Sequence, residues 1–266
     1  MAIILTVEQS LNTQADKLAR ENKILSQTSR YLIITGVILA ALGLILKLLD
    51  FKSVDSIYII GFFLAFIGYG QKVKATHNTK DAGFMRWGKR GEELVTEHLK
   101  TKLSDDYYII NDCNITGFSG EKSQIDHLVI SPNGLFVIET KNYVGQLSGS
   151  AFDNHLTQKK IINNKEQIFK ITNPITQNDY HCNILKKYLK LNNIAISDDY
   201  IKSVVIFAND KTKIDISNID NDCVFVGNVY SALEFINNYR PDGKQIDTQI
   251  LENFIKLFIK DFELKK

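Results

Sequence analysis

The residues QIDHLVISPNGLFVIETKN, positions 124–142, decide how this chain is read. Two runs of branched and aromatic side chains, 125–130 and 135–140, flank Ser131-Pro132-Asn133-Gly134. Apolar runs joined by a Pro/Gly turn predict a β-hairpin. Asp126 opens the first strand, and Glu139 and Lys141 close the second. Antiparallel strands run opposite ways, so the start of one lies beside the end of the other. The hairpin therefore brings Asp126 close to Glu139 and Lys141. Residues two apart share a strand face, so Glu139 and Lys141 point the same way. His127 alternates away from Asp126 and is read as a structural histidine of the opposite face.

Two carboxylates and an amine in one small space outline a hydrolytic metal site. Carboxylates suit a hard cation such as Mg²⁺, which keeps several waters. A bound metal lowers the pKa of coordinated water and stabilises charge on a phosphoryl oxygen. A nearby lysine can orient the water or neutralise developing charge. The competing reading is a surface hairpin carrying a Glu139–Lys141 salt bridge, because D…ExK is short and common.

Working outward, the chain has 266 residues, room for one ordinary domain and something more. Hydrophobic content of 44% and charged content of 23% are those of a folded protein. A net charge of +2 excludes a global basic field, so any nucleic-acid contact needs a local basic face. Cys113, Cys182 and Cys223 fit neither a disulfide framework nor a zinc spacing. They read as small buried residues in a reducing compartment. His98, His155 and His181 form no zinc motif.

Upstream, residues 1–30 are expected to be an amphipathic cytoplasmic helix. Val7, Leu11, Leu18 and Leu25 recur at roughly heptad spacing, which suits a coiled-coil pair and self-association of the chain through this helix. Residues 31–73 hold two apolar runs, YLIITGVILAALGLILKLL and SIYIIGFFLAFIGYG, separated by a tight polar break. They are expected to form a transmembrane helical hairpin in the lipid bilayer. Val54 and Val73 could extend the second run. Gly36 and Ala40, with Gly61 and Ala65, have the small-xxx-small spacing that lets membrane helices approach. Arg20, Lys23 and Arg30 precede the first run, and Lys72, Lys74, Lys80, Arg86, Lys89 and Arg90 follow the second. The positive-inside rule then puts both termini in the cytoplasm of a two-span protein of the cell membrane.

From Gly83 the pattern turns globular. A helix is expected around Leu94, Val95, His98, Leu99 and Leu103, and a strand over 107–111. A polar loop over 112–123 and then the hairpin follow. Residues 147–171 suggest short strands. Pro174 is placed to begin a helix running to about Leu191. Strands are expected at 203–208 and 224–226, and helices at 229–239 and 246–262. This is a mixed α/β domain with a central sheet covered by helices.

GKRGEELV at 88–95, IDHLVISPNGLFVIETKN at 125–142, Gly145 and NPITQN at 173–178 together resemble the nuclease-related domain (NERD) family of the PD-(D/E)xK nuclease superfamily. The resemblance implies a restriction-endonuclease-like mixed sheet flanked by helices over 83–210. Residues 211–266 would be an α/β extension packed on it. It implies a site for Mg²⁺ (or Mn²⁺) in which Asp126 and Glu139 are ligands, the Thr140 carbonyl adds one, and Lys141 is the catalytic lysine. Glu92 would be the acidic residue of the first helix, holding the metal through water or a second ion, and Gln177 a further catalytic-site residue. The chain departs from the superfamily pattern at Ile125, where a proline is usual, and at His181, where related nucleases carry tyrosine after the glutamine. Read from the residues, Glu93 competes with Glu92, since neighbours on a helix lie about 100° apart. Either could also be ordinary compensation of the helix dipole.

The expected activity is phosphodiester hydrolysis by a membrane-anchored nuclease, on DNA in preference to RNA. Lys89, Arg90, Lys122, Lys159 and Lys160 are the expected phosphate contacts, because backbone binding needs clustered positive charge. The alternative is a membrane-bound nucleic-acid-binding or scaffold module with an inactive nuclease fold.

Overall fold

The computed structural model describes residues 1–5, 10–52, 55–117 and 119–263. Thr6 to Gln9, the expected start of the lead-in helix, and Val54 lie outside these residues. The chain divides into two units, one of Met1–Glu8 with Gly88–Lys266 and one of Gln9–Trp87.

In chain order the elements are β1 (Ile3–Ile4), α1 (Ser10–Leu48), α2 (Asp55–Lys102), β2 (Tyr108–Thr116), β3 (Lys122–Ser131), β4 (Gly134–Lys141), β5 (Gly145–Ser150), β6 (His155–Ile162) and β7 (Lys165–Thr172). Then come α3 (Pro174–Leu191), β8 (Ile201–Phe207), β9 (Thr212–Ser217), β10 (Val224–Gly227), α4 (Val229–Asn238) and α5 (Thr248–Glu263).

A six-stranded sheet has the order β1-β2-β3-β4-β8-β10. The hairpin pairs β3 with β4 antiparallel, and β4 pairs parallel with β8. Strand β4 is therefore central, and seven of its eight residues are buried. Its unbroken apolar run is what a strand covered on both faces requires. Leu135 and Val137 pack with Leu185 and Leu189 of α3 and Phe254 and Phe258 of α5. Phe136 and Ile138 pack with Val95 and Leu99 of α2, Leu103 just beyond it, and Ala232 and Ile236 of α4. By the same alternation Glu139 continues the face that meets α3.

A second sheet, β7-β6-β5-β9, replaces the short strands expected over 147–171. Asn163 and Asn164 turn β6 into β7 with φ of 51° and 58°, a left-handed pair that matches the twist of a tight hairpin. Residues beyond 210 are integral to both sheets, since β9 pairs with β5 and β10 with β8. Strand β2 runs to Thr116, which shortens the expected polar loop. The start of the chain also corrects the sequence reading: Ile3 and Ile4 pair parallel with Tyr108 and Ile109 as an edge strand.

In the other unit, α1 runs without a break through position 30. Among the described residues its buried positions are Asn22, Ser29, Gly36 and Gly43, and those of α2 in this unit are Gly61, Gly68, Ala75 and Ala82. Both sets recur every seven residues, so a single seam of small residues joins the polar and apolar parts of the pair. A Cβ on Gly36 would lie 2.5 Å from backbone atoms of Ala65 and Gly61. The expected self-association helix thus has a partner within its own chain: Asn22 meets Thr79 at 3.4 Å and Thr28 meets Gln71 at 3.1 Å. Two helices here are long and apolar enough to cross a membrane, and the apolar windows are only 11% buried, unlike a soluble core helix.

Candidate active site

The hairpin ladder registers His127 against Ile138, so Asp126 lies opposite Glu139 without pairing in the ladder. Asp126 Oδ2 instead accepts the Thr140 backbone N–H at 2.7 Å. On the other side, β2 and β3 pair at Asn111–His127 and Cys113–Ile125, and skip the Asp112–Asp126 pair between them. Ile110 and Cys113, three apart, both enter the same core cluster, so the alternation of β2 reverses at this point. Asp112 has φ 51°, a left-handed conformation that aspartate tolerates. The ladder is opened where the carboxylates gather.

Glu139 is 1% exposed, and its Oε1 is 2.5 Å from the Lys141 ammonium. The Glu139–Lys141 salt bridge therefore exists, but it is buried and not a surface feature. Glu139 Oε2 has no hydrogen-bond partner. His181 Nε2 stands 3.4 Å from it. Ser123 Oγ holds the other side of that ring, 2.7 Å from Nδ1. Ser123 is itself buried, so it orients His181 and is not an exposed nucleophile.

Burial pushes the Asp126 carboxyl well above the usual carboxylate range, and the charges of Glu139 and Glu92 add to this. Burial also raises Glu139, but His181 and Lys141 outweigh it and leave Glu139 below its ordinary value. Burial lowers Lys141, and the Glu139 carboxylate more than reverses this, so Lys141 stays an ammonium. Burial raises Glu92, against the pull of Lys89. The site thus holds one carboxyl poised to keep its proton and one held ionised. His127 is buried on the α2 face, with Nδ1 2.8 Å from Asn111 Oδ1, and burial takes it down to about 3. It lies on the face opposite Asp126, as its alternation predicts.

Glu92 and not Glu93 turns inward, with a side chain 14% exposed, while Glu93 is exposed. Gly91 makes the approach of α2 possible, because a Cβ there would come within 2.7 Å of the Asn142 Cβ. On α3, Asn173 caps the helix by accepting from Ile175 N–H, and Asn178 donates to Val137 O at 2.8 Å. Between these two structural amides, Gln177 reaches His181, with Nε2–Nε2 of 3.5 Å.

Among the expected phosphate contacts, Arg90 and Lys122 are exposed. Lys159 pairs with Glu166 at 4.0 Å, and Lys160 lies 4.4 Å over the Phe169 ring, both on the β6–β7 hairpin. Lys89 corrects the sequence reading. It is 8% exposed and lies 3.8 Å from both Glu92 and Asp112, inside the cluster and away from solvent. Cys223 is exposed, unlike Cys113 and Cys182. Sequence reasoning missed Asp112 and the Ser123–His181 contact. Continuing β2 one residue past Asn111 would have put Asp112 beside Asp126, but Asn-Asp-Cys-Asn reads as loop.

Among the described residues, no group of three or more His, Cys, Asp or Glu side chains is arranged to hold a metal ion. The donors fit a hard cation in another way. Glu139 Oε2 is a buried carboxylate oxygen without a hydrogen-bond partner, Asp126 is its register neighbour, and Mg²⁺ completes its shell with water.

Residues 87–208, just under half of the chain, match the family model described as nuclease-related domain. Over 97 residues, 36% of this chain, the sequence is 39% identical to an uncharacterized protein of Bacillus anthracis. The match takes in 44% of that relative, so the chain spans less than half of the curated protein it resembles. No solved structure matches. The family model thus matches the same part of the chain that the motifs mark, on a mixed α/β fold of two sheets flanked by helices.

Proposed function

We propose that this chain, with its nuclease-related domain at 87–208, is a membrane-anchored, Mg²⁺-dependent nuclease that hydrolyses phosphodiester bonds, DNA before RNA, at the cytoplasmic face. The observation that carries the reading is the meeting of Asp126, Glu139 and Lys141 at the opened end of the β3–β4 ladder, with Glu139 Oε2 left without a hydrogen-bond partner.

Asp126 and Glu139 would hold the cation, with the Thr140 carbonyl available beside them. When bound, Mg²⁺ supplies an activated water and stabilises charge on the scissile phosphate. Lys141 stays protonated, so it serves as a fixed positive charge that orients water and offsets developing charge, and not as a general base. His181, oriented by Ser123, fixes the Glu139 carboxylate from the α3 side. Gln177 lies next to His181, where it can orient a strand or a water. Arg90, Lys122, Lys159 and Lys160 would meet phosphates beyond the scissile one. The two apolar helices support anchoring, and the basic residues beyond both spans support cytoplasmic termini.

The test uses the full chain in detergent micelles with single- and double-stranded DNA and RNA, in Mg²⁺ or EDTA. Cleavage that needs Mg²⁺ and is lost in Asp126→Ala and Lys141→Ala is the expected result. Folded protein that binds nucleic acid but cuts none of the four substrates would replace this reading with the inactive binding module.

A further inference from the structure

Lys89 sits where two carboxylates would otherwise face each other without a counter-charge. Its ammonium is 3.8 Å from Glu92 Oε2 and 3.8 Å from Asp112 Oδ2. All three side chains are largely withdrawn from water, at 10%, 14% and 10% exposure for Lys89, Glu92 and Asp112. Asp112 is held in place by its left-handed backbone and by Gln124 Nε2, which donates to Oδ1 at 2.9 Å. It lies opposite Asp126 in register, and Asp126 opposite Glu139, so three adjacent strands each bring one carboxylate to the same level of the sheet.

Counting charge around the site gives four carboxylates, Glu92, Asp112, Asp126 and Glu139, and two ammonium groups, Lys89 and Lys141. With all of them ionised, as cation binding at Asp126 requires, two negative charges remain, which is the charge of one divalent cation. Lys141 pairs with Glu139, and Lys89 serves Glu92 and Asp112. A buried charge without such a partner is strongly disfavoured. Two-metal nucleases meet the same need with a second ion.

We infer that the Lys89 ammonium is a built-in substitute for a second metal ion, so that this site takes one divalent cation, on the Asp126–Glu139 side. The inference rests on the metal-dependent reading of the site. Lys89 is a positioning residue in this scheme: it holds Glu92 and Asp112 apart from a second cation and is not a phosphate contact.

The test counts bound ions in the full chain in micelles, with Mn²⁺ as the probe and free Mn²⁺ read by electron paramagnetic resonance. The wild-type chain binds one ion. Lys89→Met, which keeps the length and removes the charge, binds two, and Lys89→Arg binds one. Adding Asp112→Asn to Lys89→Met returns the count to one. Two ions in the wild-type chain, or one in folded Lys89→Met, would overturn the inference. If Lys89→Met fails to fold, the wild-type and Lys89→Arg counts decide, and two ions in either overturns it. No bound ion in a folded wild-type chain removes the metal site itself, a failure distinct from a count of two.

Discussion

Lys89 and Lys159 carry the same charge and read alike in the sequence, yet they occupy opposite surroundings. Lys89 has a side chain 10% exposed between Glu92 and Asp112, while Lys159 is 45% exposed on the β6–β7 hairpin beside Glu166. In the first place an ammonium is part of the fold's internal charge balance. In the second it is hydrated, screened by salt, and worth little as an ion pair. What separates the regions is the number of covered faces. The six-stranded sheet is packed on both sides around β4, whereas four of the eight residues of β7 in a row are exposed. Charge at the covered end therefore shifts pKa values and orders carboxylates. Charge on the open sheet is free to meet a polyanion.

The largest effects should come from the covered end. Lys141→Met leaves Glu139, 1% exposed, without its closest cation. Breaking a buried pair by removing one partner costs about 3 kcal/mol or more, which urea denaturation of the full chain would read. Cleavage should fall by at least about 100-fold, the scale for losing one fixed charge-stabilising group. Lys159→Met, the matched change on the open sheet, should leave stability within about 0.5 kcal/mol. Equal losses from the two would erase the distinction.

A pH series sharpens it. Asp126 has its folded pKa raised, first by burial and then by Glu139 and Glu92, so the folded chain holds that proton more tightly than the unfolded one. In EDTA, stability then rises as pH falls toward this raised pKa. Glu139 has its pKa lowered, so the stability it contributes is present above its unfolded value and is lost as pH falls through the folded one. The expected curve has a maximum in mild acid, and Asp126→Asn flattens its upper limb. Cation affinity moves the other way. A proton on Asp126 competes with the metal, so Mn²⁺ binding weakens as pH drops through the raised pKa.

How much of this was legible follows the same division. Local pattern located the hairpin, the residues that close it and helix α3, because turn chemistry, strand alternation and Pro174 after a capping Asn173 act over a few positions. The central place of β4 was readable from its apolar run. Burial of Lys89 was not, since a lysine next to Arg90 in a Gly-flanked helix looks like surface. Asp112 was hidden because it sits where the alternation of β2 breaks, which no periodicity predicts. The second sheet was obscured by polar residues on its open face, such as Thr157, Lys159 and Lys170. In the helical unit, the spacing of Gly36, Ala40, Gly61 and Ala65 announced the close approach. The seven-residue recurrence from Asn22 to Gly43 also lay in the sequence, but polar and apolar stretches were read as separate segments.

The covered-versus-open rule extends to glycines of the helical pair. A side chain at Gly61 would strike backbone atoms of Ala40 and Gly36, while nothing lies within 4 Å of a Cβ at Gly70. Gly61→Leu should destabilise the pair by about 1–3 kcal/mol, the range for overpacking. Gly70→Leu should be neutral or slightly favourable, because it gains helix propensity and its Cβ meets no atoms. Thermal melts in micelles compare the two. A larger loss at Gly70 would mean that the seam does not run through Gly61.

The smallest effects belong to the open lysines. Lys122 and Lys159 are exposed, and under the proposed function they would contribute to binding a nucleic-acid backbone only by displacing counterions. Each Lys→Gln change should weaken binding of a single-stranded DNA by only a few-fold, equally for different base sequences. Each should also reduce the slope of log K against log salt by about 0.7, the single-strand value for one lost phosphate contact. The slope is the more telling readout, because damage to the fold would lower affinity at every salt concentration without changing the number of ions released. Lys89→Gln should leave the slope as it is, since a lysine enclosed by Glu92 and Asp112 releases no counterion from the strand. If Lys89→Gln lowered the slope as much as Lys159→Gln, Lys89 would be open to the strand.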